Sequence, residues 1–364
     1  MVKVSALFTS ILLLAASVTS KTVFTGETID GFRVATHIDV TDLPSNSLTK
    51  VFVRMPKNQI GQNWHVPVMI AKGAEDGKRL FLNSGIHGDG LNGIRVVQKV
   101  MNDLDTSKMN GVVVGIPGAN VNGMLNNKRR FVSMSGSGSL TDLNQYFPGD
   151  VEELDDVYQF VGILWDNVIS NNNFTAAVDF QTQATGNSAC LNVNADVSVN
   201  YVKRMVDISG ADVVVTKSTD ADTGALDDNL AAKGVAAFTY VLANPRVFDN
   251  EAIQRGYEFS QRLIADLAIQ TSGSRYASPA NYVNSDTLVT DTVDTFYANS
   301  GGFVETHVEL LDSVKKDQVL ATMYDPHGDV VEVFKASNAG KVMELLSDPL
   351  REPGALIASV AVSA

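Results

Sequence analysis

The sequence predicts a two-part chain: an α/β domain with a mixed, mostly parallel sheet flanked by helices, and a C-terminal all-β module. Short apolar runs alternate with segments of helical periodicity up to about residue 268, as expected for strands that alternate with helices. Beyond residue 289 the helical spacing disappears, and short apolar runs alternate with turn residues. The length of 364 residues also exceeds what one hydrophobic core usually supports. We therefore expect an α/β domain at 21–285, ending in the Ser-, Ala-, Gly- and Asn-rich connector 271–285, and a β-module at 286–364.

The spacing of apolar residues places the individual elements. Residues 32–56 alternate apolar and polar side chains, which predicts antiparallel strands that lead into the main domain. Residues 80–83 form a short apolar run that stops at a glycine turn, and apolar residues between 91 and 104 recur at helical spacing. The other predicted strands are 111–116, 176–180, 213–215 and 236–241, and the other predicted helices are 151–168 and 250–268.

Charge excludes two classes of partner. The formal net charge is −13 and the sequence pI is about 4.8. Such a surface repels nucleic acid and anionic membranes. It does not select a small-molecule ligand, because a pocket can be basic inside an acidic protein.

The first twenty residues have the pattern of a secretory signal peptide. Lys3 supplies the positive n-region, residues 4–16 are mostly apolar, and residues 18–20 place small side chains before the cleavage site. The alternative is an N-terminal membrane anchor, but the apolar run is short for a bilayer span. We expect a mature chain that begins near Lys21, has no membrane span and is secreted or extracytoplasmic.

Cys190 is the only cysteine of the chain, so we expect folding without an internal disulfide. A lone cysteine with no histidine paired to it in the pattern is more often a small buried apolar residue than a nucleophile. The only N-glycosylation sequon is Asn173-Phe174-Thr175, which matters only in a eukaryotic host.

The strongest local signal is the glycine turn NSGIHGDGLNG at residues 83–93. It places His87 just after a predicted strand, and ligands gather at the carboxyl ends of such strands. A lone histidine in a loop is ordinarily a surface residue. Two further blocks argue for a site instead: PGANVNG from residue 117, followed by Arg129, and TDLNQYFPG at residues 141–149.

In these segments the chain resembles the succinylglutamate desuccinylase/aspartoacylase family, which shares its fold with zinc carboxypeptidases. The resemblance rests on an ordered set: GIHGDG before a helix, then PGANVNG and DLNQYFPG, then VDFQT, then VAAFTYVLANPRVFD. It extends into the β-module, which is similar to that family's barrel-sandwich appendix, and covers roughly residues 50–362. It implies a zinc-carboxypeptidase-like fold and, in typical members, zinc-dependent hydrolysis of an amide bond.

The resemblance also shows which zinc-site residues are replaced. In the family, the glycine turn supplies a zinc-binding His and, three residues later, a zinc-binding Glu. A third ligand is a His two residues after an Asp that ends a strand. His87 matches the first ligand, but Gly90 and Gln181 stand at the other two positions, and Val241 stands where the general-base Glu would be. A hydrolytic zinc site needs three protein ligands and an open position for water, so the resemblance implies a vestigial metal site at His87.

The residues that grip substrate carboxylates in the family are partly retained. Arg129 and Asn144 match two of them, and Gln145 replaces a second Arg. Arginine recognises carboxylates through charge-assisted, often bidentate hydrogen bonds. The alternative is that Arg129 belongs to a solvated basic cluster with Lys128 and Arg130.

Three hypotheses follow. The first is a secreted, non-catalytic family member that uses no cofactor and binds a small carboxylate or acyl-amino acid near Arg129 and Asn144. The second is an active hydrolase of amide or ester bonds with a rerouted zinc site, and the third is a degenerate paralogue without a selected ligand. Side chains that could complete a rerouted site are Asp89, Asp179, His37, His65, His307 and His327.

Overall fold

The computed structural model describes residues 21–133, 140–270, 282 and 286–363. Up to residue 290 the strands are β1 (Val23–Ile29), β2 (Phe32–His37), β3 (Ser47–Lys57), β4 (Asn63–Lys72), β5 (Glu75–Ser84), β6 (Asn110–Pro117), β7 (Ala176–Gln181), β8 (Asn187–Ala189), β9 (Asn192–Ala195), β10 (Val213–Thr216), β11 (Ala236–Val241) and β12 (Leu288–Thr290). The helices are α1 (Leu91–Asp103), α2 (Val121–Leu125), α3 (Asp156–Leu164), α4 (Val202–Asp207), α5 (Leu226–Ala232) and α6 (Asn250–Asp266). The C-terminal strands are β13 (Val293–Tyr297), β14 (Gly302–Thr306), β15 (Ser313–Val314), β16 (Val319–Tyr324), β17 (Val330–Lys335), β18 (Gly340–Leu346), β19 (Leu350–Arg351) and β20 (Leu356–Val362).

An eleven-stranded sheet with the order β1-β2-β3-β4-β6-β5-β7-β11-β9-β10-β12 forms the centre of the α/β domain. Its middle strands β6, β5, β7 and β11 are parallel to one another, which confirms the predicted mixed, mostly parallel sheet. The expectation of antiparallel strands at residues 32–56 was wrong for the first pair. β2 and β3 are parallel, with Val34 opposite Phe52, because the chain crosses over between them in residues 38–46.

Helix α3 begins later than the apolar spacing predicted, at Asp156 instead of residue 151. The Asp155 carboxylate accepts hydrogen bonds from the backbone N–H groups of Val157 and Tyr158, which makes it the N-cap. The acidic residues before it therefore lie outside the helix. After Leu164 the chain continues into one π-helical turn.

The two faces of the sheet carry separate hydrophobic cores. Successive strand residues point to opposite faces, so Leu80 and Leu82 of β5 lie in one core and Phe81 lies in the other. Helices α1 and α6 cover the first face, and α3 and α5 cover the second. The amphipathic spacing of α1 thus fits its position against the parallel strands.

The C-terminal residues form the predicted all-β module. Strands β13, β20, β18 and β15 form one antiparallel sheet, and β17, β16, β14 and β19 form a second. Between them lies a core of their own, with Leu320, Val342 and Ile357 completely buried.

Each part of the chain contributes a strand to the other. Strand β8 of the α/β part pairs with β18 of the module, and β12, which follows the connector, pairs with β10 of the main sheet. The domain boundary at residue 285 stays a prediction, because most of the connector lies outside the described residues. Backbone hydrogen bonds between these paired strands therefore join the two parts of the chain.

Four further predictions concern single features. The predicted signal peptide, residues 1–20, lies outside the described residues. No helix of the described ranges has both the length and the apolar character needed to cross a membrane. Cys190 is free and buried, as expected, and burial raises the pKa of its thiol. Asn173 of the sequon is exposed.

Candidate functional site

A row of polar side chains crosses the middle strands near their carboxyl ends. Asn83 of β5 lies opposite Asp179 of β7, which lies opposite Thr239 of β11, and all three are buried. The Asp179 carboxylate accepts hydrogen bonds from Asn83 Nδ2 at 2.7 Å and from Gln181 Nε2 at 2.6 Å. Polar groups in a buried sheet must find such partners, so Gln181 is committed to Asp179.

The glycine turn after β5 directs His87 toward this row. Gly85 has φ +66, and a Cβ there would lie 2.9 Å from Gly118 Cα, so the tight turn needs glycine. His87 is only 4% exposed, and its Nε2 lies 2.8 Å from Asp142 Oδ1. An ionised carboxylate can only accept, so Nε2 carries a hydrogen, and Nδ1 holds a lone pair whenever the ring is neutral. Nδ1 is buried and has no hydrogen-bond partner among the described residues.

Asp142 is a site residue that the sequence patterns did not single out as functional. Burial acts to raise the pKa of its carboxyl, but the hydrogen bond and charge of His87 outweigh burial and lower the pKa to about 2. The same oxygen accepts the backbone N–H of Asn144. Asp142 and His87 are 55 residues apart in the chain, so only the fold reveals the pair.

Arg129, predicted to anchor a substrate, forms an ion pair with Asp89 at 3.3 Å. Its Nη1 also donates to the carbonyl oxygens of Thr182 and Gln183. The Asp89 side chain is completely buried, and its other oxygen accepts two hydrogen bonds from Thr185. Arg129 and Asp89 therefore fix the loop after β7, while Nη2 and Nε of Arg129 make no hydrogen bond within the described part of the chain.

Asn144, the other predicted anchor, lies at the N-terminus of α5. Its Oδ1 accepts the backbone N–H of Leu226, one of the N–H groups that a helix leaves unpaired at its start. Gln145 beside it is exposed. The structure thus gives the side-chain oxygen of Asn144 a helix-capping position.

The replaced positions lie where the resemblance implied. Gly90 precedes α1 with φ −85, a conformation open to any residue, and a Cβ there would have His87 O at 3.3 Å and Thr182 Oγ1 at 3.5 Å as its nearest neighbours. Gln181 and Val241 are paired across β7 and β11. A side chain at position 90 would therefore lie beside His87, and the His87 carbonyl would have to shift by a few tenths of an ångström to accept it.

A second buried charge cluster lies close to Asp179, and the sequence reasoning missed it. Lys217 Nζ contacts Asp227 at 2.9 Å and Asp228 at 2.8 Å, and both carboxylates are almost fully buried in the first turn of α5. Burial acts to lower the pKa of Lys217, but the two carboxylates raise it. No sequence pattern pointed to this cluster, because Lys217 lies ten positions before Asp227 and helix α5 was not predicted.

The donor set at His87 fits a zinc ion only in part. The unpaired Nδ1 of His87, with Asp142 behind Nε2, is the arrangement that orients a metal-binding imidazole. The other two positions do not fit, since Gly90 has no donor and the carboxamide of Gln181 donates to Asp179. Within the described ranges no three His, Cys, Asp or Glu side chains lie close enough together to hold a metal ion.

The remaining histidines have other partners. His37 forms a hydrogen bond with Asn167, and His307 forms one with Thr322. His65 lies on β4 and packs edge-on against Phe52. His327, next to Asp325, is in the β-module. The structure therefore does not bring them to His87.

The buried row predicts a distinct dependence of stability on pH. Burial raises the pKa of Asp179 to about 6. The native state therefore holds a proton that the unfolded state, with a carboxyl pKa near 3.9, has released, so the contribution of Asp179 is present below about pH 4 and lost as pH rises through 6. We expect Asp179→Asn to remove a decline of roughly 3 kcal/mol in unfolding free energy between pH 4 and pH 7.

Urea unfolding of both proteins at pH 4.5, 5.5 and 7 measures this difference. Glu344 also has a pKa raised by burial, but it remains in both proteins and cancels in the comparison. The charge of Asp227 acts on the pKa of Asp179, so the difference between the two proteins includes that interaction. Parallel pH profiles for the wild type and Asp179→Asn would show that Asp179 does not titrate in this range.

Comparisons with known proteins agree on one family. The family model described as the succinylglutamate desuccinylase/aspartoacylase catalytic domain matches residues 76–267, more than half of the chain. No curated protein sequence matches.

Solved structures show the same fold at low identity. The product-bound ectoine utilization protein EutE (DoeB) of Ruegeria pomeroyi superposes with a TM-score of 0.76 and 16% identity, over 88% of this chain and 98% of that chain. A succinylglutamate desuccinylase/aspartoacylase of Rhodobacter sphaeroides gives 0.75 and 15%, over 90% and 98% of the two chains. A succinylglutamate desuccinylase of Silicibacter sp. gives 0.76 and 15%, over 89% and 98%.

The glycine turn, the polar row and the family match lead to one conclusion. The superpositions cover 88% and 90% of this chain, which is more than the 76–267 region that the family model matches. This protein belongs to the succinylglutamate desuccinylase/aspartoacylase family.

Proposed function

We propose that the protein is a secreted, non-catalytic member of this family that binds a small carboxylate. The observation that carries the proposal is the hydrogen bond from Gln181 Nε2 to Asp179 at 2.6 Å. This hydrogen bond engages the carboxamide of Gln181, which stands at the position where the family has a zinc-binding His. With Gly90 at the position of the second ligand, His87 is the single metal donor. With Val241 at the position of the general-base Glu, the base is also missing.

The chemical reason is the weakness of one imidazole. Hydrolysis by this family depends on a metal that lowers the pKa of a bound water from ~15.7 to ~7, and on a base that accepts its proton. One neutral nitrogen does not retain Zn²⁺ against the three or four ligands that such sites use. Activation of water therefore has no source among the residues placed around His87.

The free donors of Arg129 support carboxylate binding. Nη1 is held by Asp89 and the two loop carbonyls, which fixes the guanidinium plane and leaves Nη2 and Nε for a ligand. A preoriented guanidinium loses little side-chain entropy when it binds a carboxylate. A small carboxylate or acyl-amino acid is therefore the ligand class that the proposal commits to.

Metal analysis and a turnover assay test the absence of catalysis. Purified protein is expected to hold well below one zinc per chain and to show no hydrolysis of a panel of N-acyl-amino acids, with or without added zinc, manganese or cobalt. One tightly bound zinc per native chain would overturn the proposal. Titration calorimetry with succinate and N-acetyl-aspartate tests binding, and Arg129→Lys should weaken it while preserving the charge.

Export is tested separately. The pattern of residues 1–20 supports cleavage and secretion, so protein collected from the medium of the native host should begin at Lys21. Intact residues 1–20 on protein that stays with the cells would contradict this.

The orientation of His87 keeps the hydrolase alternative testable. Nδ1 is unpaired and Asp142 holds Nε2, so a metal could bind if further donors approached. In that case turnover would appear with one of the added metals and disappear in His87→Ala.

A further inference from the structure

A second groove, whose lining does not include His87 or Arg129, lies between helix α1 and the outer strands of the sheet. Its volume is about 260 Å³, and Phe52 of β3 with Pro67 and Met69 of β4 form its floor. In β3, Val51 and Val53 point into the core under α3, so the alternate residues Lys50 and Phe52 point to the opposite face. Helix α1 packs on β5 and β6, which leaves this face of β3 open to the groove.

The rim of the groove carries two cations without carboxylate partners. Lys50 Nζ contacts Asn102 Oδ1 at 2.8 Å, and Arg95 Nη1 contacts Gln98 Oε1 at 3.5 Å. Both acceptors are neutral carboxamides, and neither cation forms an ion pair within the described ranges.

The lining of the groove differs from the overall composition of the protein. Asp and Glu total 41 against 28 Lys and Arg, yet no Asp or Glu of the described chain lines this groove. The groove therefore combines an apolar floor with a locally positive rim.

We propose that this groove binds amphiphilic anions, with a short hydrocarbon chain on Phe52, Pro67 and Met69 and a carboxylate between Lys50 and Arg95. Small-molecule sites have this composition, a mostly apolar lining with a few placed polar groups. The volume lies just below the usual range of about 300–1,000 Å³, which favours a medium-chain fatty acid over a long-chain lipid. The site is separate from the proposed function at Arg129 and does not depend on it.

Titration calorimetry with octanoate, hexanoate, octanol and octylammonium tests the proposal on the full mature chain. Octanoate should bind about tenfold more tightly than hexanoate, because two methylene groups more are buried. Octanol should bind more weakly, since it lacks the charge, and octylammonium should not bind. Equal affinities for octanoate and octanol, or no octanoate binding, would overturn the proposal.

Variants locate the binding site. Lys50→Gln with Arg95→Gln should weaken octanoate binding by roughly tenfold, since two charge-assisted contacts are lost. Lys99→Gln is the matched control, because Lys99 lies on the same helix but contacts Gln254 and the Tyr257 ring on α6. An equal loss in Lys99→Gln would show a non-specific charge effect and refute the site.

Arg129→Lys separates this groove from the carboxylate site of the proposed function. It should leave octanoate affinity unchanged while it weakens succinate binding. Octanoate binding that falls in Arg129→Lys and survives in the Lys50/Arg95 double variant would place the fatty acid at Arg129 and overturn the groove assignment.

Discussion

Replacing Gly90 with Glu and Gln181 with His in one chain should raise zinc binding to about one ion per chain. His87 already presents an unpaired Nδ1 with Asp142 behind it. A residue at 90 has an allowed φ of −85 and no backbone atom closer than 3.3 Å to its Cβ. A His at 181 would lie next to Asp179, whose carboxylate can accept its ring N–H and orient it.

The expected result is about one zinc per chain after dialysis, measured by elemental analysis, against well below one for the wild type. Saturating zinc at a thousand times the dissociation constant should also raise the unfolding free energy by ~4 kcal/mol. Gly90→Gln with Gln181→His is the matched control, since it differs only by the carboxylate. If the folded Glu/His variant retains no more zinc than this control, the side chains at positions 90 and 181 do not reach a common metal position with His87.

Arg129→Gln should destabilise the protein by about 3 kcal/mol. The Asp89 side chain is completely buried, so removal of its cation leaves a charge without compensation inside the protein. Breaking one partner of a buried pair typically costs 3–5 kcal/mol, and the 3.3 Å separation and partial exposure of Arg129 place the cost at the lower end. Urea unfolding at pH 7 measures the change.

Neighbouring substitutions identify the cause. Arg130→Gln, at the exposed next residue, should change stability by less than about 0.5 kcal/mol. Adding Asp89→Asn to Arg129→Gln should recover part of the loss, because the buried charge is then gone. If Arg129→Gln behaves like Arg130→Gln, Arg129 belongs to a solvated basic cluster and does not hold the loop.

The spacing of apolar residues predicted those helices and strands whose buried side chains recur at a regular interval. The apolar spacing of 250–268 matches α6, and the short run at 236–241 matches β11. The start of α3 could not be predicted, because four acids precede or open the helix and only the geometry selects Asp155 as the cap. Alternation at residues 32–56 identifies strand faces, but it carries no information on whether neighbours are parallel.

Only the part of the site that lies within one short segment of the sequence could be predicted. The glycine turn placed His87 at a strand end because the whole feature lies within eleven residues. The other parts of the site depend on contacts between distant segments of the chain. These parts are the hydrogen bond of His87 with Asp142, the ion pair between Asp89 and Arg129, and the ion pairs of Lys217. The burial that makes these pairs matter is a property of the folded chain and has no local pattern.

The shared strands β8 and β12 limit how this protein could have changed over time. A gene that lost its 3′ portion would encode a sheet with an open edge at β10 and a protruding β8, and both would invite aggregation. Recombination that moved the C-terminal portion onto another scaffold would meet the same obstacle. We therefore expect the two portions to be inherited together, whatever chemistry the site at His87 performs.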